Sequence, residues 1–171
     1  MGVEIERKFC VIGNEWRQTQ GVLYRQCYLC RDKERTVRVR VAGDVAYLTI
    51  KGITQGASRA EYEYEIPISD AEQLLTMCDG PLVEKIRRVI TLGETTWEVD
   101  EFLGENAGLV IAEVELQSED QPFERPSWLG LEVTYDSRYF NSNLLVNPYK
   151  YWRESALVQA TTFTSITQNR S

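Results

Sequence analysis

The first strand-like run of the sequence carries a row of charges on one face. Glu4, Glu6 and Lys8 are spaced two residues apart, and in an extended strand residues with this spacing point to the same side. A strand in an ordinary half-buried sheet has apolar residues on one face and scattered polar residues on the other. A compact row of two carboxylates and an ammonium must lie either in solvent or in a charged interior, and this choice decides the fold.

The same alternation recurs in later runs. Arginines alternate with β-branched residues over 35–41, and glutamates alternate with apolar residues over 58–66. The apolar faces, with Tyr62, Tyr64 and Trp97, are expected to pack under helices. Two arrangements remain open: a flat sheet whose charged face is solvated, and a closed barrel whose charged face points inward. The pattern predicts about eight mainly antiparallel strands, over 3–13, 21–31, 35–41, 45–51, 58–66, 82–92, 95–103 and 109–117, with a short one at 131–134.

The turn at 43–44 tests which side chains share a face. Directly opposite residues in an antiparallel pair point the same way, so a two-residue turn there places Arg38, Arg40 and Lys51 on one face. Lys51 joins Glu61 on that face only if the following loop holds an odd number of residues or a bulge. We take that register as an assumption.

Two later connections give a second test. A two-residue turn at 93–94 places Arg87 opposite Asp100. A four-residue loop at 105–108 then places Asp100 opposite Glu113. Three charged residues line up on three neighbouring strands, which favours a continuous charged face.

The remaining segments read as helices and a tail. Ser69 and Glu72 form a capping box that predicts a helix start, and a last helix is predicted over 148–159. The polar tail 161–171 is expected to be disordered. The chain therefore reads as one domain over 1–160.

Charge and hydropathy exclude several classes of protein. The 171 residues carry a net charge of −7, which argues against a general surface for nucleic acid or anionic membranes. No apolar run approaches the roughly 20 residues that a membrane-spanning helix needs, and the N-terminus has no signal-peptide core. We expect a cytoplasmic protein with neither a nucleic-acid nor a membrane partner.

The chain has four cysteines and no histidine. Cys27 and Cys30 form a CxxC pair, but a zinc site would need a second pair or histidines, so reduced and partly buried thiols are expected. The lack of histidine excludes a Ser-His-Asp triad, a Cys-His pair and a histidine base. Any catalysis must therefore use carboxylates, lysine, arginine, tyrosine or a metal.

If the charged rows converge, they bring a basic set and an acidic set together. A basic cluster alone suits an anion and an acidic cluster alone suits hard cations, so both together suit a polyphosphate with its divalent metal. The chain has no P-loop motif, so side chains would have to hold the phosphates. The base would be a carboxylate or a metal-bound hydroxide. The basic set is Lys8, Arg38, Arg40, Lys51, Lys85 and Arg87, and the acidic set is Glu4, Glu6, Glu61, Glu63, Asp100, Glu113 and Glu115.

The run Glu4-Ile5-Glu6-Arg7-Lys8 resembles the ExExK signature of the CYTH domain, in the triphosphate tunnel metalloenzyme superfamily. The closing segment 139–149 resembles that of the short bacterial members. This resemblance implies a mainly β, α+β fold, a closed eight-stranded antiparallel barrel with flanking helices that acts on triphosphates with Mg²⁺ or Mn²⁺. The likeness continues through 38–40, 49–51, 61–63, 85–87, 99–100 and 113–115.

The resemblance also implies roles for individual residues. The basic set would bind the triphosphate. The metal would be held by Glu4, Glu6, Asp100, Glu113 and Glu115. Catalytic roles fall to Glu4, Glu6, Lys8, Glu61, Glu63 and Asp100. Solvated, structural or surface roles are expected for Arg59, Glu65, Glu98, Lys150 and Arg153.

The function expected from these features is hydrolysis of inorganic triphosphate to pyrophosphate and phosphate. The alternatives are an adenylate cyclase, a thiamine or nucleoside triphosphatase, and a non-catalytic polyphosphate binder. The complete acidic set argues against the binder, because binding alone would favour fewer carboxylates near phosphate. A homodimer through the apolar outer face is also considered.

Overall fold

The computed structural model describes residues 2–168. Short 3₁₀ turns lie at Glu15–Gln18, Gly104–Asn106, Ser137–Tyr139 and Tyr149–Tyr151. The strands and α-helices are, in chain order, β1 (Gly2–Val11), β2 (Val22–Asp32), β3 (Arg35–Ala42), β4 (Val45–Gly52), β5 (Ser58–Ile66), α1 (Ile68–Leu75), β6 (Val83–Leu92), β7 (Thr95–Phe102), β8 (Val110–Glu115), β9 (Leu129–Glu132), α2 (Asn141–Leu144) and α3 (Arg153–Gln168).

Eight antiparallel strands form a closed ring. Their order is β5-β4-β3-β2-β6-β7-β8-β1, and β1 pairs again with β5. The first half of β1 closes the ring, with Glu4 opposite Arg59 on β5, whereas its second half pairs with β8 on one side and β9 on the other. The prediction of a closed eight-stranded antiparallel barrel with flanking helices is confirmed.

Both two-residue turns form as predicted. Gly43 and Gly93 begin these turns with φ angles of 62° and 60°, in the left-handed region that glycine enters without steric cost. Lys51 lies opposite Glu61. The register assumed for the loop between β4 and β5 is therefore confirmed.

The connection between β7 and β8 differs from its prediction. Glu98 rather than Asp100 lies opposite Glu113, and Asp100 lies opposite Ile111. The 3₁₀ turn lengthens the loop to residues 103–108, which a backbone hydrogen bond closes. The pairing moves by two residues, so every side chain keeps its face.

Apolar side chains cover much of the outside of the barrel. Trp97 is fully buried and packs edge-on against Phe9 and Trp128. Tyr62 and Tyr64, on the outer face of β5, are 46% and 56% exposed. The prediction that this aromatic stripe is covered is right for Trp97 and wrong for the two exposed tyrosines.

The segment after β9 closes one end of the barrel. Side chains that point inward at this end are apolar, unlike those further along the same strands. They merge with the C-terminal elements into one buried cluster that includes Tyr28, Phe102, Ile111, Tyr139, Leu144 and Trp152. The barrel interior is therefore a tunnel with one closed end.

Helix α1 does not use the predicted capping box. It begins at Ile68, and the carbonyl of Pro67 accepts its first backbone hydrogen bonds. Ser69 lies inside the first turn, and Glu72 pairs with Arg25 on β2. The capping-box prediction is wrong because the N-cap is Pro67, two residues before Ser69.

The end of the chain also differs from expectation. Helix α3 runs from Arg153 to Gln168, so 161–168 are helical where a disordered tail was expected, and 169–171 lie outside the described residues. The division into a single domain stays a proposal. Over the part of the chain that is described, no helix combines the length and apolarity needed to cross a membrane.

Two of the four cysteines are joined. Cys27 on β2 forms a disulfide with Cys78, and the two Cα atoms are 6.0 Å apart. Cys10 and Cys30 are free thiols. The expectation of reduced thiols is therefore wrong for the Cys27–Cys78 pair, which ties the segment after α1 to the barrel wall.

Replacing Trp152 tests whether the closed end supports the fold. Its ring is buried and packs edge-on against Tyr139 and Tyr149, with centroids 5.0 Å from each. We expect Trp152→Ala to lower the free energy of unfolding by about 3 kcal/mol or more. The neighbouring Tyr151 is 72% exposed, so Tyr151→Ala is the control and should change it by less than about 0.5 kcal/mol. Urea denaturation measures both, and equal losses would contradict this account of the closed end.

Candidate active site

The inside of the barrel holds a cavity of about 560 Å³. The charged faces of the strands point into it rather than into solvent, and only Asp100 among the predicted site residues lies behind its surface. The predicted residues that line the cavity are Glu4, Glu6, Lys8, Arg38, Arg40, Lys51, Glu61, Glu63, Lys85, Arg87, Glu113 and Glu115.

Asp100 anchors two of the cations. Its carboxylate accepts from Lys85 Nζ at 2.6 Å and from Arg87 Nε and Nη2 at 2.7 Å each. Burial alone would raise the pKa of Asp100, but Arg87 and Lys85 lower it below the usual value. Burial lowers the pKa of Lys85 to about 7, since repulsion by Arg87 and Arg40 offsets the attraction of Asp100. In this arrangement Asp100 holds cations in place, and its metal-binding role remains a prediction.

Lys8 and Glu113 form the next buried pair. Lys8 Nζ lies 3.1 Å from Glu113 Oε1, and Arg87 Nη2 lies 3.8 Å from Glu113 Oε2. Burial alone would lower the pKa of Lys8, but Glu113 and Glu6 raise it. The pKa of Glu113 is correspondingly well below its usual value, because Lys8 and Arg87 outweigh the effect of burial. Lys8 therefore presents a permanent positive charge to the cavity.

Lys51 joins two carboxyl groups from neighbouring strands. Its Nζ donates to both Glu4 oxygens at 2.9 Å and lies 3.1 Å from Glu61 Oε2. Burial and the contact with Glu61 raise the pKa of Glu4. The pKa of Glu61 is lowered, because Glu4 and Lys51 outweigh its own burial. Two carboxyl groups therefore share the single ammonium of Lys51.

Arg38 and Arg40, both on β3, form a cationic wall of the cavity. Arg38 Nη2 donates to Thr49 Oγ1 at 3.2 Å and lies 3.5 Å from Glu63 Oε2. Its Nε is buried and makes no hydrogen bond within residues 2–168. Burial, together with repulsion by Arg38 and Arg87, lowers the pKa of Arg40 to about 10. This wall has more positive charge than the protein itself compensates.

Glu6 and Glu115 are in the opposite situation. Enclosure in the tunnel and the nearby carboxylates of Glu113 and Glu4 raise the pKa of Glu6 to about 8. Burial, followed by repulsion from Glu4 and Glu98, also raises the pKa of Glu115. Oxygen ligands in a field of excess negative charge suit a hard divalent cation.

The carboxylates do not form a preassembled metal cage. Within residues 2–168, no three acidic, cysteine or histidine side chains gather as metal ligands. Glu4 and Glu113 are instead paired with Lys51 and Lys8. The donor chemistry and the raised pKa of Glu6 nevertheless fit a divalent cation, which would relieve the repulsion among these groups.

Residues expected to have minor roles divide into two groups. Arg59 lines the cavity and donates to Thr36, and Glu98 pairs with Arg87 at 2.6 Å. Glu65 is exposed. On the outside, Lys150 pairs with Glu105 and Arg153 is exposed, so these two cations do not close the tunnel.

Sequence reasoning missed several uncharged residues that line the cavity. Thr36 follows the strand alternation and was recognisable as an inward position. Gln26 lies behind the cavity surface, where it is fully buried and its amide bonds Arg40 and Asn141. Neutral amides carry no charge signal, so alternation of charges does not single them out. Further missed lining residues at the closed end include Tyr28, Thr134, Phe140, Asn141 and Ser142.

Comparison with known proteins places this architecture among related enzymes. An inorganic triphosphatase of Acetivibrio thermocellus is 54% identical over 90% of this chain and all of that protein. An inorganic triphosphatase of Nitrosomonas europaea is 38% identical over 84% of this chain and 97% of that protein. A crystal structure of an inorganic triphosphatase has a TM-score of 0.61 and 36% identity, over 84% of this chain and 94% of the other.

The family assignment rests on most of the chain. Residues 2–144 match the CYTH domain, a span that contains all strands of the ring and every predicted site residue. The chain belongs to the CYTH domain family.

Proposed function

We propose that this protein is a metal-dependent inorganic triphosphatase that hydrolyses inorganic triphosphate to pyrophosphate and phosphate. The observation that carries the proposal is the uncompensated charge on both walls of one tunnel. The buried Nε of Arg38 has no acceptor among residues 2–168, and Glu6 lies near the carboxylates of Glu113 and Glu4. A polyphosphate with a divalent metal supplies both missing partners, and relatives that cover most of this chain are inorganic triphosphatases.

The basic wall would bind the substrate. Guanidinium groups of Arg38 and Arg40 can grip phosphate oxygens in bidentate fashion. Lys8 and Lys85 add ammonium groups near the closed end of the tunnel, and Lys51 adds another between the two walls. Arg87 reinforces this wall through Asp100 and Glu113.

The acidic wall would hold the metal. Glu6 and Glu115 are the first candidates because burial and then neighbouring carboxylates raise the pKa of each. Glu4 and Glu113 join them once substrate competes for Lys51 and Lys8. A bound Mg²⁺ or Mn²⁺ neutralises charge on phosphate oxygens and on the departing pyrophosphate. Asp100 is also a proposed metal ligand, and it would contribute to the site by holding Lys85 and Arg87 in place.

Hydrolysis then requires a water aligned with the scissile bond. Water attacks a terminal phosphorus, the bridging P–O bond breaks, and pyrophosphate leaves with the bonding electrons. Glu61 and Glu63 contact Lys51 and Arg38, two of the cations that would bind the substrate. These two carboxylates would orient the attacking water. A carboxylate takes the proton, since the chain has no histidine. Arg38 and Arg40 stabilise the charge that accumulates on the leaving group.

Three further parts of the proposal follow from the sequence. The protein would act in the cytoplasm, without nucleic-acid or membrane partners. It would prefer inorganic triphosphate over nucleotides and thiamine triphosphate. A homodimer through the apolar outer face remains a prediction.

A phosphate-release panel tests the activity. With Mg²⁺ or Mn²⁺, purified protein should release phosphate from inorganic triphosphate much faster than from ATP, because the tunnel recognises phosphate and metal rather than a base. Conversion of ATP to a cyclic nucleotide would instead support the cyclase alternative. Equal turnover of both substrates, or none of either, would contradict the proposal.

Separate changes at Lys8 and Glu115 test the two walls. Lys8→Ala removes a buried ammonium that would donate hydrogen bonds to phosphate, and Glu115→Gln removes a proposed metal ligand. Each should lower kcat/KM by about 100-fold or more. Lys33→Ala and Glu124→Gln are matched controls at exposed positions outside the tunnel and should retain normal rates. Steady-state kinetics at saturating metal measures all four. A variant at Lys8 or Glu115 with near-normal rates removes that residue from the site.

The pKa of Glu6 predicts how metal and pH affect stability. A carboxyl whose pKa is raised on folding stabilises the folded state below its unfolded pKa, near 4.5, and that contribution is lost as pH rises through about 8. Glutamine stays neutral throughout. Without metal, Glu6→Gln should therefore be more stable than the wild type at about pH 9 and nearly equal to it at about pH 5.

Urea denaturation in the presence of a chelator measures this difference. Adding Mg²⁺ at the higher pH should stabilise the wild type more than Glu6→Gln, because only the wild type gains a carboxylate ligand. A stability difference between wild type and variant that is the same at both pH values would show that Glu6 is not under this repulsion.

A further inference from the structure

We propose that Asn141 is a positioning residue for the phosphate-binding cations, acting directly on Lys85 and through Gln26 on Arg40. The proposal rests on the proposed triphosphatase function and assigns a role to residues outside the charged sets. Asn141 is the first residue of α2, at the closed end of the tunnel. We call Gln26 and Asn141 the amide relay.

The relay joins two cations through hydrogen bonds. Asn141 Oδ1 accepts from Lys85 Nζ at 3.1 Å and from Gln26 Nε2 at 3.3 Å. Gln26 Oε1 accepts from Arg40 Nε at 3.3 Å. Three strands and the closing segment therefore meet in one polar chain.

The chemistry of its ends fixes the direction of the relay. Lysine and arginine only donate hydrogen bonds, so each amide must turn its oxygen toward its cation. The Gln26 amide nitrogen then faces the Asn141 oxygen, which has a second lone pair to accept it. Rotating either amide by half a turn would place a donor against a donor, so one arrangement is favoured.

This arrangement aims the cations at the cavity. The Lys85 ammonium has three N–H groups, of which Asp100 and Asn141 accept two. The direction of the third is thereby set. At Arg40 the relay engages Nε, so the two terminal nitrogens are the groups presented to a phosphate.

Asn141 can do this without adding charge. Lys85 is fully buried and already has a carboxylate partner in Asp100. A neutral oxygen orients the ammonium without cancelling the positive charge that phosphate needs. The relay therefore contributes direction, while the cations contribute attraction.

Asn141→Leu tests the relay, because leucine has a similar shape and no acceptor. We expect kcat/KM for inorganic triphosphate to fall on the order of 10- to 100-fold, as expected for misplaced binding groups. Asn143→Leu is the matched control: Asn143 lies in the same short helix, but its amide donates to the carbonyl of Ser137 outside the tunnel. The kcat/KM of Asn143→Leu should stay within about 3-fold of the wild-type value.

A double-mutant cycle separates positioning from a general effect on the fold. If Asn141 acts in part through Lys85, Asn141→Leu should cost clearly less in the Lys85→Met background than in the wild type, and the loss that remains is the part carried through Gln26 to Arg40. A full additional loss in that background would overturn the proposal, as would an equal effect of Asn143→Leu. Gln26→Leu breaks the relay at a second point, on strand β2. It should weaken the binding of inorganic triphosphate without altering the closing segment.

Calorimetric binding of inorganic triphosphate completes the experiment. A wild type that binds but does not hydrolyse would contradict the proposed function and still test the relay, since Asn141→Leu should bind more weakly than Asn143→Leu. An active wild type with normal kinetics and binding in Asn141→Leu would overturn the relay and leave the proposed function intact.

Discussion

Asp100 holds Lys85 and Arg87 inside the barrel through charge-assisted hydrogen bonds of 2.6–2.7 Å. An unpaired buried ion costs several kcal/mol, so a barrel with an inward charged face requires such pairing for most of its charges. Lys8 with Glu113 meets this requirement between β1 and β8. The apolar residues, excluded from most of the interior, pack on the outside of the ring, which is why the aromatic core around Trp97 lies there.

The pairing is incomplete on both walls, and this links stability to function. Among residues 2–168 no acceptor bonds the buried Nε of Arg38, and burial together with the nearby guanidiniums lowers the pKa of Arg40. Glu6 meets mainly carboxylates. An interior in which every charge is paired would be more stable, but it would gain little free energy by exchanging those pairs for a ligand. The charge left over on opposite walls favours a ligand that itself carries both signs, such as a metal-bound polyphosphate.

Strand alternation predicts this architecture because side chains in a strand alternate with a period of two. A register error of two residues therefore leaves every side chain on its predicted face. The loop between β7 and β8 is longer than predicted, yet Asp100 and Glu113 remain inward because the pairing moves by two residues. Alternation alone leaves open whether the charged face is solvated. Closure of the ring through β1 and β5 resolves that question, and it depends on contacts between residues far apart in sequence. The bond between Cys27 and Cys78 is equally non-local, and spacing along the chain gives no signal for it.

The closed end shows why uncharged residues escape the same reasoning. This end combines apolar side chains with the amides of Gln26 and Asn141, and neither kind continues the charged rows. At this depth an additional carboxylate would compete with phosphate for Lys85, whereas an apolar residue would leave the ammonium without its second acceptor. An amide oxygen satisfies the hydrogen bond and preserves the net positive charge. Alternation of charges does not identify Asn141, because the electrostatics of the tunnel favour a neutral acceptor at this position.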